Sequence, residues 1–238
     1  MKYSLALVGL EGGINLGLIC RLADNFDVED IFLINPNLLD EDYDLAEIFA
    51  SRAGHRLESL KVADNLDEIL SNFDLVVATT GVRSSSPPYR SSFSLSGLEK
   101  VIGKMWGKRI CLVFGRESVG LTPNELRRAD IIVSVQTSNK YPSMNIATAV
   151  AAILSRLYEA KHLHSRQPSS LDINVIKLLE RYIYNLANRA FSRPDLIESI
   201  VLSFRRVFYT QNVSESDLKL MLTFFRRLYS LHHANKEK

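Results

Sequence analysis

An α/β protein with a mostly parallel sheet, followed by a small all-helical domain, is predicted for this chain by three features. Over the first ~160 residues, short apolar runs alternate with helical patterns, the arrangement that builds a parallel sheet with crossover helices. One run, Ile110 to Phe114, is apolar without a break and ends at Gly115, as a strand buried on both faces does. Beyond Leu171 the apolar period becomes three and four residues and stays so, which is the mark of amphipathic helices.

The elements follow in order. Strands are predicted at Tyr3 to Val8, Asp30 to Ile34, Leu75 to Thr79, Ile110 to Phe114 and Ile131 to Val133, each a short apolar run. Helices are predicted near Leu16 to Phe26, Leu66 to Ser71, Leu95 to Met105, Pro123 to Arg128 and Met144 to Lys161. The fourth helix has the clearest start: Thr122 as N-cap, Pro123 at the first helical position and Glu125 as the capping-box acid. Between Thr80 and Ser96 the serines and the Pro87-Pro88 pair predict an irregular loop carrying Arg83 and Arg90. Polar residues and Pro168 interrupt the helical pattern around His162 to Ser170, so a domain is expected over 1–162, a linker over 163–170 and a helical extension over 171–238.

Three helices are predicted in that extension, Leu171 to Ala190, Pro194 to Tyr209 and Glu215 to Tyr229. In the last, Leu218, Met221, Leu222, Phe225, Leu228 and Tyr229 mark one apolar face and Lys219, Arg226 and Arg227 lie off it. The net charge of +2 conceals an asymmetry. From Ala160 onward there are 13 Lys or Arg against 7 Asp or Glu, and before it 16 against 20. A cationic tail beside a mildly acidic body suggests a polyanionic partner such as nucleic acid; a solvated charged surface is the plainer account. No apolar stretch reaches the ~18 residues needed to span a bilayer, and the opening MKYSLALVGL lacks a signal-peptide pattern, so a cytoplasmic chain with no membrane contact is expected. Cys20 and Cys111 are the only cysteines, which leaves neither a disulfide framework nor a metal-ligand cluster.

Candidate chemistry gathers at three loops. After the buried strand, Gly115 and Gly120 flank Arg116 and Glu117, so the backbone can turn tightly and approach a ligand. Ser143, Met144 and Asn145 form a second loop at a helix start, where Ser143 is also a plausible cap. The opening GLEGGINLG could be a dinucleotide loop, but its glycines at 9, 12, 13 and 17 do not fit G-x-G-x-x-G, and Glu11 would repel a pyrophosphate. On its own, that segment reads as an N-cap at Asn15 and a surface arginine at Arg21.

Three segments together, INLGLICRLADNF from Ile14, ICLVFGRESVGLTPNEL from Ile110 and YPSMNIATAVAAIL from Tyr141, resemble in order and character the three motifs of the SpoU/TrmH branch of the SPOUT RNA methyltransferases. The resemblance covers residues 1 to about 160, and with the helical tail the whole chain is similar to the TrmJ-type tRNA ribose methyltransferases. It implies a SPOUT fold whose segment from Val113 to Val150 forms a deep trefoil knot, an exception to the rule against threaded chains. It also implies S-adenosyl-L-methionine as methyl donor, S-adenosyl-L-homocysteine as product and no metal. The catalytic set it implies is Arg21, Asn15, Glu117, Ser143 and Asn145, with Glu117 bracing Arg21 or Asn15. The implied cofactor-binding set is Thr79, Thr80, Gly81, Gly115, Arg116, Glu117, Gly120, Ile132, Val135, Ser143, Met144 and Asn145. Arg21, Arg83, Arg205, Arg206, Arg226 and Arg227 are the implied RNA contacts.

The third motif departs from the family's commonest wording, with Met144 for leucine and Ala147 for serine; the first exchange is conservative and the second removes a hydroxyl. The implied substrate is tRNA, methylated on the ribose of anticodon-loop nucleotide 32, by a homodimer in which the small and apolar helix from Ala147 to Leu157 suits the interface. Ribosomal RNA as substrate, or a catalytically silent knotted RNA-binding protein, are the alternatives. A silent binder should lack Arg21, Glu117 or Asn145, and all three are present.

Overall fold

The computed structural model describes residues 2–81, 92–103, 105, 107–163, 173–210 and 213–234. Arg83, Arg90 and most of the predicted linker lie outside them. The described residues fall into two compact units, one ending in the helix that closes at Leu163 and one beginning at Ile173.

The first unit is a six-stranded sheet in the order β3-β2-β1-β5-β4-β6, and every pairing in it is parallel. Its strands are β1 (Lys2–Val8), β2 (Val28–Ile34), β3 (Lys61–Ala63), β4 (Leu75–Thr80), β5 (Arg109–Phe114) and β6 (Ile131–Ser134). The central strands explain why apolar runs were legible: Leu112 pairs with Leu5 on one side and Val77 on the other, and all three side chains are fully buried. Each such burial contributes about 1.5–3 kcal/mol. The chain passes from β4 to β5 and then returns beyond β4 to β6, so the ends of these three strands lie side by side.

Helix α1 (Gly13–Asn25) starts earlier than predicted, with Gly12 as N-cap. Asn15 is therefore inside the helix and does not cap it. Helix α2 (Asp40–Ala50) packs against α1 through small residues: a Cβ on Gly13 would collide with the Asp42 carbonyl, and one on Gly17 with that of Ala46. Asp42 ties the two helix starts together, its carboxylate accepting from the Gly13 N–H at 3.0 Å and the Leu39 N–H at 2.9 Å. These bonds, Leu39's and then Gly13's, hold its carboxyl below the usual range. Neither α2 nor β3 was predicted. Only Ala46 and Ala50 of α2 are buried, and β3 is a three-residue edge strand with Val62 exposed, so neither shows the expected periodicity.

The short helices α3 (His55–Glu58), α4 (Asp67–Leu70), α5 (Leu95–Ile102) and α6 (Pro123–Arg127) precede the long α7 (Ile146–Leu163). Helix α6 carries the predicted capping box, Thr122 accepting from the Glu125 N–H and Glu125 from the Thr122 N–H. In α7, Ala147, Val150, Ile153, Leu154 and Leu157 are buried within the chain. The apolar character of this helix thus belongs largely to the core, leaving Ala151, Ala152 and Ser155 half-buried. Cys20 and Cys111 are core residues as well, and burial pushes both thiols up to about 12.

The second unit holds α8 (Ile173–Ala190), α9 (Pro194–Thr210) and α10 (Glu215–Ala234). Arg205 of α9 makes two 2.8 Å bonds to the carboxylate of Glu180 on α8, which is 8% exposed. Arg189 lies over the Tyr229 ring at 4.8 Å, and Tyr182 meets that ring edge-on. An apolar groove of about 360 Å³ between α9 and α10 is floored by Ile183 and Ala187 and flanked by Phe204, Phe225 and Leu228.

Candidate active site

A cavity of about 340 Å³ opens at the carboxyl ends of β4, β5 and β6, where ligands bind in open parallel sheets. Thr79, Thr80 and Gly81 at the end of β4 form one wall, and residues 114–121 after β5 form the next. Val135 and Thr137 after β6 and the approach to α7, Pro142 to Met144 with Ile146, complete it. Its size falls within the ~300–1,000 Å³ of small-molecule sites.

The loop from Gly115 to Leu121 doubles back on itself. The Gly120 N–H donates to the Arg116 carbonyl at 2.9 Å, Gly120 has φ 71°, and a Cβ on Gly115 would run into the backbone of Gly120 and Leu121. Glycine is required at both positions, one for its left-handed conformation and the other for backbone contact. The loop therefore lines the cavity with closely packed main chain.

A hydrogen-bonded chain joins this loop to the two others. Asn145 Nδ2 donates to Asn15 Oδ1 at 2.8 Å, and Asn15 Nδ2 donates to Glu117 Oε1 at 2.9 Å. At one end Asn145 Oδ1 accepts from the Thr148 N–H at 3.2 Å, so Asn145, and not Ser143, caps α7. At the other end Glu117 Oε2 accepts from the Glu11 N–H at 3.0 Å. Both amides have their oxygen and nitrogen ends assigned by these partners, which makes the arrangement single-valued. Of the two partners anticipated for Glu117, the structure supplies Asn15.

Ser118 was not singled out in the sequence, and Glu11 only as an obstacle to a pyrophosphate. The Glu11 carboxylate accepts from the Ser118 hydroxyl at 2.7 Å and from its N–H at 3.1 Å. The acid that counted against a pyrophosphate instead fastens the first loop to the cavity wall. A signal for this was available only in the negative sense, as a carboxylate out of place in a phosphate loop.

The remaining predicted residues divide. Thr79, Thr80, Gly81, Gly115, Arg116, Glu117, Gly120, Val135, Ser143 and Met144 line the cavity, and the Thr79 hydroxyl donates to the Val113 carbonyl at 3.0 Å. Ile132 is not on its wall: it is buried in the sheet, and its carbonyl accepts from the Phe93 N–H at 2.7 Å. Asn145 is likewise absent from the lining and stands in the chain described above. Ser143 is exposed at the rim. Arg21 lies on the exposed face of α1 with Ile14 and the half-buried Leu18. Arg206, Arg226 and Arg227 are exposed on α9 and α10, whereas Arg205 is engaged by Glu180. Among the described residues no group of three or more His, Cys, Asp and Glu could hold a metal ion, and no helix is long and apolar enough to cross a membrane.

The cavity at the carboxyl edge of the parallel sheet is thus braced by an Asn-Asn-Glu chain drawn from α1 and two distant loops. The chain belongs to the SpoU rRNA methylase family, whose model matches residues 2–155. It is similar to the tRNA (cytidine-2'-O-)-methyltransferase TrmJ of Sulfolobus acidocaldarius, 26% identical over 96% of this chain and 94% of that one. The enzyme of the same description from Methanocaldococcus jannaschii is 33% identical over 68% and 69%. Among solved structures, TrmJ from Z. mobilis superimposes with a TM-score of 0.59 at 20% identity, covering 96% of this chain and 100% of that one.

Proposed function

We propose that this chain is an S-adenosyl-L-methionine-dependent ribose 2′-O-methyltransferase acting on tRNA at anticodon-loop nucleotide 32. The observation that carries the reading is the chain from Asn145 through Asn15 to Glu117 beside the cavity. Similarity to TrmJ enzymes from archaea and bacteria over more than nine-tenths of the chain supports tRNA as the substrate class. Residues 1–162 would form the methyltransferase domain with its knotted segment 113–150, 163–170 the linker and 171–238 the RNA-binding extension.

The cavity suits the cofactor on its own chemistry. The main chain of residues 115–120 offers N–H and carbonyl groups to polar parts, while Leu121, Val135, Met144 and Ile146 offer an apolar surface to an adenine ring. When bound, S-adenosyl-L-methionine supplies a methyl group on a sulfonium, which needs no metal to accept an oxygen nucleophile. The protein's work is then placement, for which well-oriented reactants gain effective molarities of roughly 10⁵ M or more. Thr79, Thr80 and Gly81 close one side, the Gly115–Leu121 loop holds the other, and Ser143 stands at the rim where a ribose would enter.

Arg21 is exposed on α1, which makes its guanidinium accessible to RNA. A guanidinium is a poor proton acceptor, so Arg21 orients the nucleotide and stabilises developing charge, and the proton leaves by another acceptor. Arg206, Arg226 and Arg227 supply phosphate contacts from the tail. A second copy covering Ile14 and Leu18 beside Arg21 would give the homodimer. A labelled-methyl assay tests the assignment on tRNA transcripts carrying ribose or 2′-deoxyribose at nucleotide 32. Label should enter only the ribose transcript; equal labelling of the deoxy transcript refutes the position. Because the family is described as rRNA methylases, ribosomal RNA belongs in the same assay, and preferential labelling there would favour the second reading.

A further inference from the structure

Arg116 lines the cavity, yet its guanidinium is turned to the protein. Nη1 donates to Glu125 Oε2 and Nη2 to Glu125 Oε1, both at 3.1 Å, the two-pronged geometry that makes Arg–carboxylate pairs strong and directional. Nη1 also lies 3.4 Å from the Gly120 carbonyl oxygen. Glu125 Oε2 accepts in addition from the Thr122 N–H at 2.7 Å. One carboxylate thus grips both ends of the Gly115–Leu121 loop, Arg116 at its start and Thr122 just past its finish. Burial works against the Glu125 charge, but the Arg116 and Thr122 bonds outweigh it and hold the carboxyl below its usual range.

Gly9 makes room for this strut. A Cβ there would sit 2.7 Å from Arg116 Nε and 2.8 Å from its Cγ. The side chain therefore lies across the turn that follows β1, and it also walls off a neighbouring cleft of about 240 Å³ beside β1 and β2. Taken with the Glu11–Ser118 and Glu11–Glu117 bonds, the first loop and the cradle loop meet at three places.

We propose that Arg116 is a positioning residue for the cofactor, acting through Glu125 and across Gly9 to fix the pitch of the cradle loop, and not by touching the ligand. The proposal rests on the methyltransferase reading. It is tested by calorimetry of S-adenosyl-L-homocysteine binding to the full chain as wild type, Arg116→Lys, Glu125→Gln and the double variant, each held well below its melting temperature. Lysine keeps the charge but cannot reproduce the fork. Each single variant should weaken binding about tenfold, because a loosened supporting shell costs affinity without removing a direct ligand. The double variant should be no weaker than the worse single one, since both break one strut. Affinity of the ligand-free protein for tRNA should not change. Glu125→Asp, which keeps the charge and shortens the reach, replaces Glu125→Gln should that variant not fold. Wild-type affinity in the Glu125 variant with weakened binding in Arg116→Lys would overturn the proposal and make Arg116 a direct ligand. Multiplying losses, or lowered melting temperatures with unchanged affinities, would overturn it too. Failure of the wild type to bind at all would instead overturn the methyltransferase reading beneath it.

Discussion

In the sheet unit carboxylates hold loops, whereas in the helical unit arginines are divided between the core and the surface. Asp42, Glu11, Glu117 and Glu125 each accept backbone N–H groups and fix turns at the carboxyl edge of the sheet or at helix starts. In the helical unit, Arg205 is sealed against Glu180 while Arg206, Arg226 and Arg227 face outward. The difference teaches that one charge type can be sealed into the structure in one place and left exposed in another, and that partners decide which. Placement of small reactants needs fixed acceptors; holding a flexible polyanion needs exposed cations.

The largest effect should come from breaking the bracing chain. Glu117→Ala removes the acceptor of both Asn15 and the Glu11 N–H, and single-turnover methyl transfer should fall about 100-fold, the scale of a misplaced reacting group. tRNA affinity, if carried by the tail, should change less than twofold. A parallel loss of tRNA binding would erase the distinction between the units.

Next in size is Arg205→Ala, which strands a nearly buried carboxylate and should cost the helical unit about 3 kcal/mol. In a denaturant titration the sheet unit's transition should stay in place while the helical unit's moves to lower concentration. Arg226→Gln with Arg227→Gln should leave both transitions alone. These substitutions should instead reduce the slope of log affinity against log salt for tRNA by about 0.7 for each phosphate that is no longer neutralised, and an unchanged slope would remove these residues from the interface. The smallest effect concerns Asp42. Its carboxyl is depressed in the folded protein, so its contribution is present above the unfolded value near 4 and fades as pH falls through the lower folded value. Asp42→Asn should therefore lower the melting temperature at pH 7, and the difference should shrink as the pH falls below about 4.

Strands with buried faces were legible because each depends on its own residues; β1 and β5 began one residue early and otherwise matched. Helix α2 was not, since it is held by two alanines, by the glycines of α1 and by Asp42. Asn15, Glu117 and Asn145 could be singled out as residues of interest, but their bonding could not, because it spans 102 and 130 positions. The bonds of Glu11 to Ser118 escaped for the same reason, since they span 107 positions; Glu125 was legible as the capping-box acid but not as the partner of Arg116. Arg205 was grouped with Arg206 as an implied RNA contact, and its pairing with Glu180 on a neighbouring helix left no local pattern either.

The central claim is that the sheet unit delivers a methyl group to a ribose oxygen. The most direct test is to incubate the protein with tRNA transcript and methyl-labelled S-adenosyl-L-methionine, digest the product to nucleosides and identify the labelled one. The account predicts label in a 2′-O-methylated nucleoside; label on a base, or no incorporation by folded protein that binds both reactants, would contradict it.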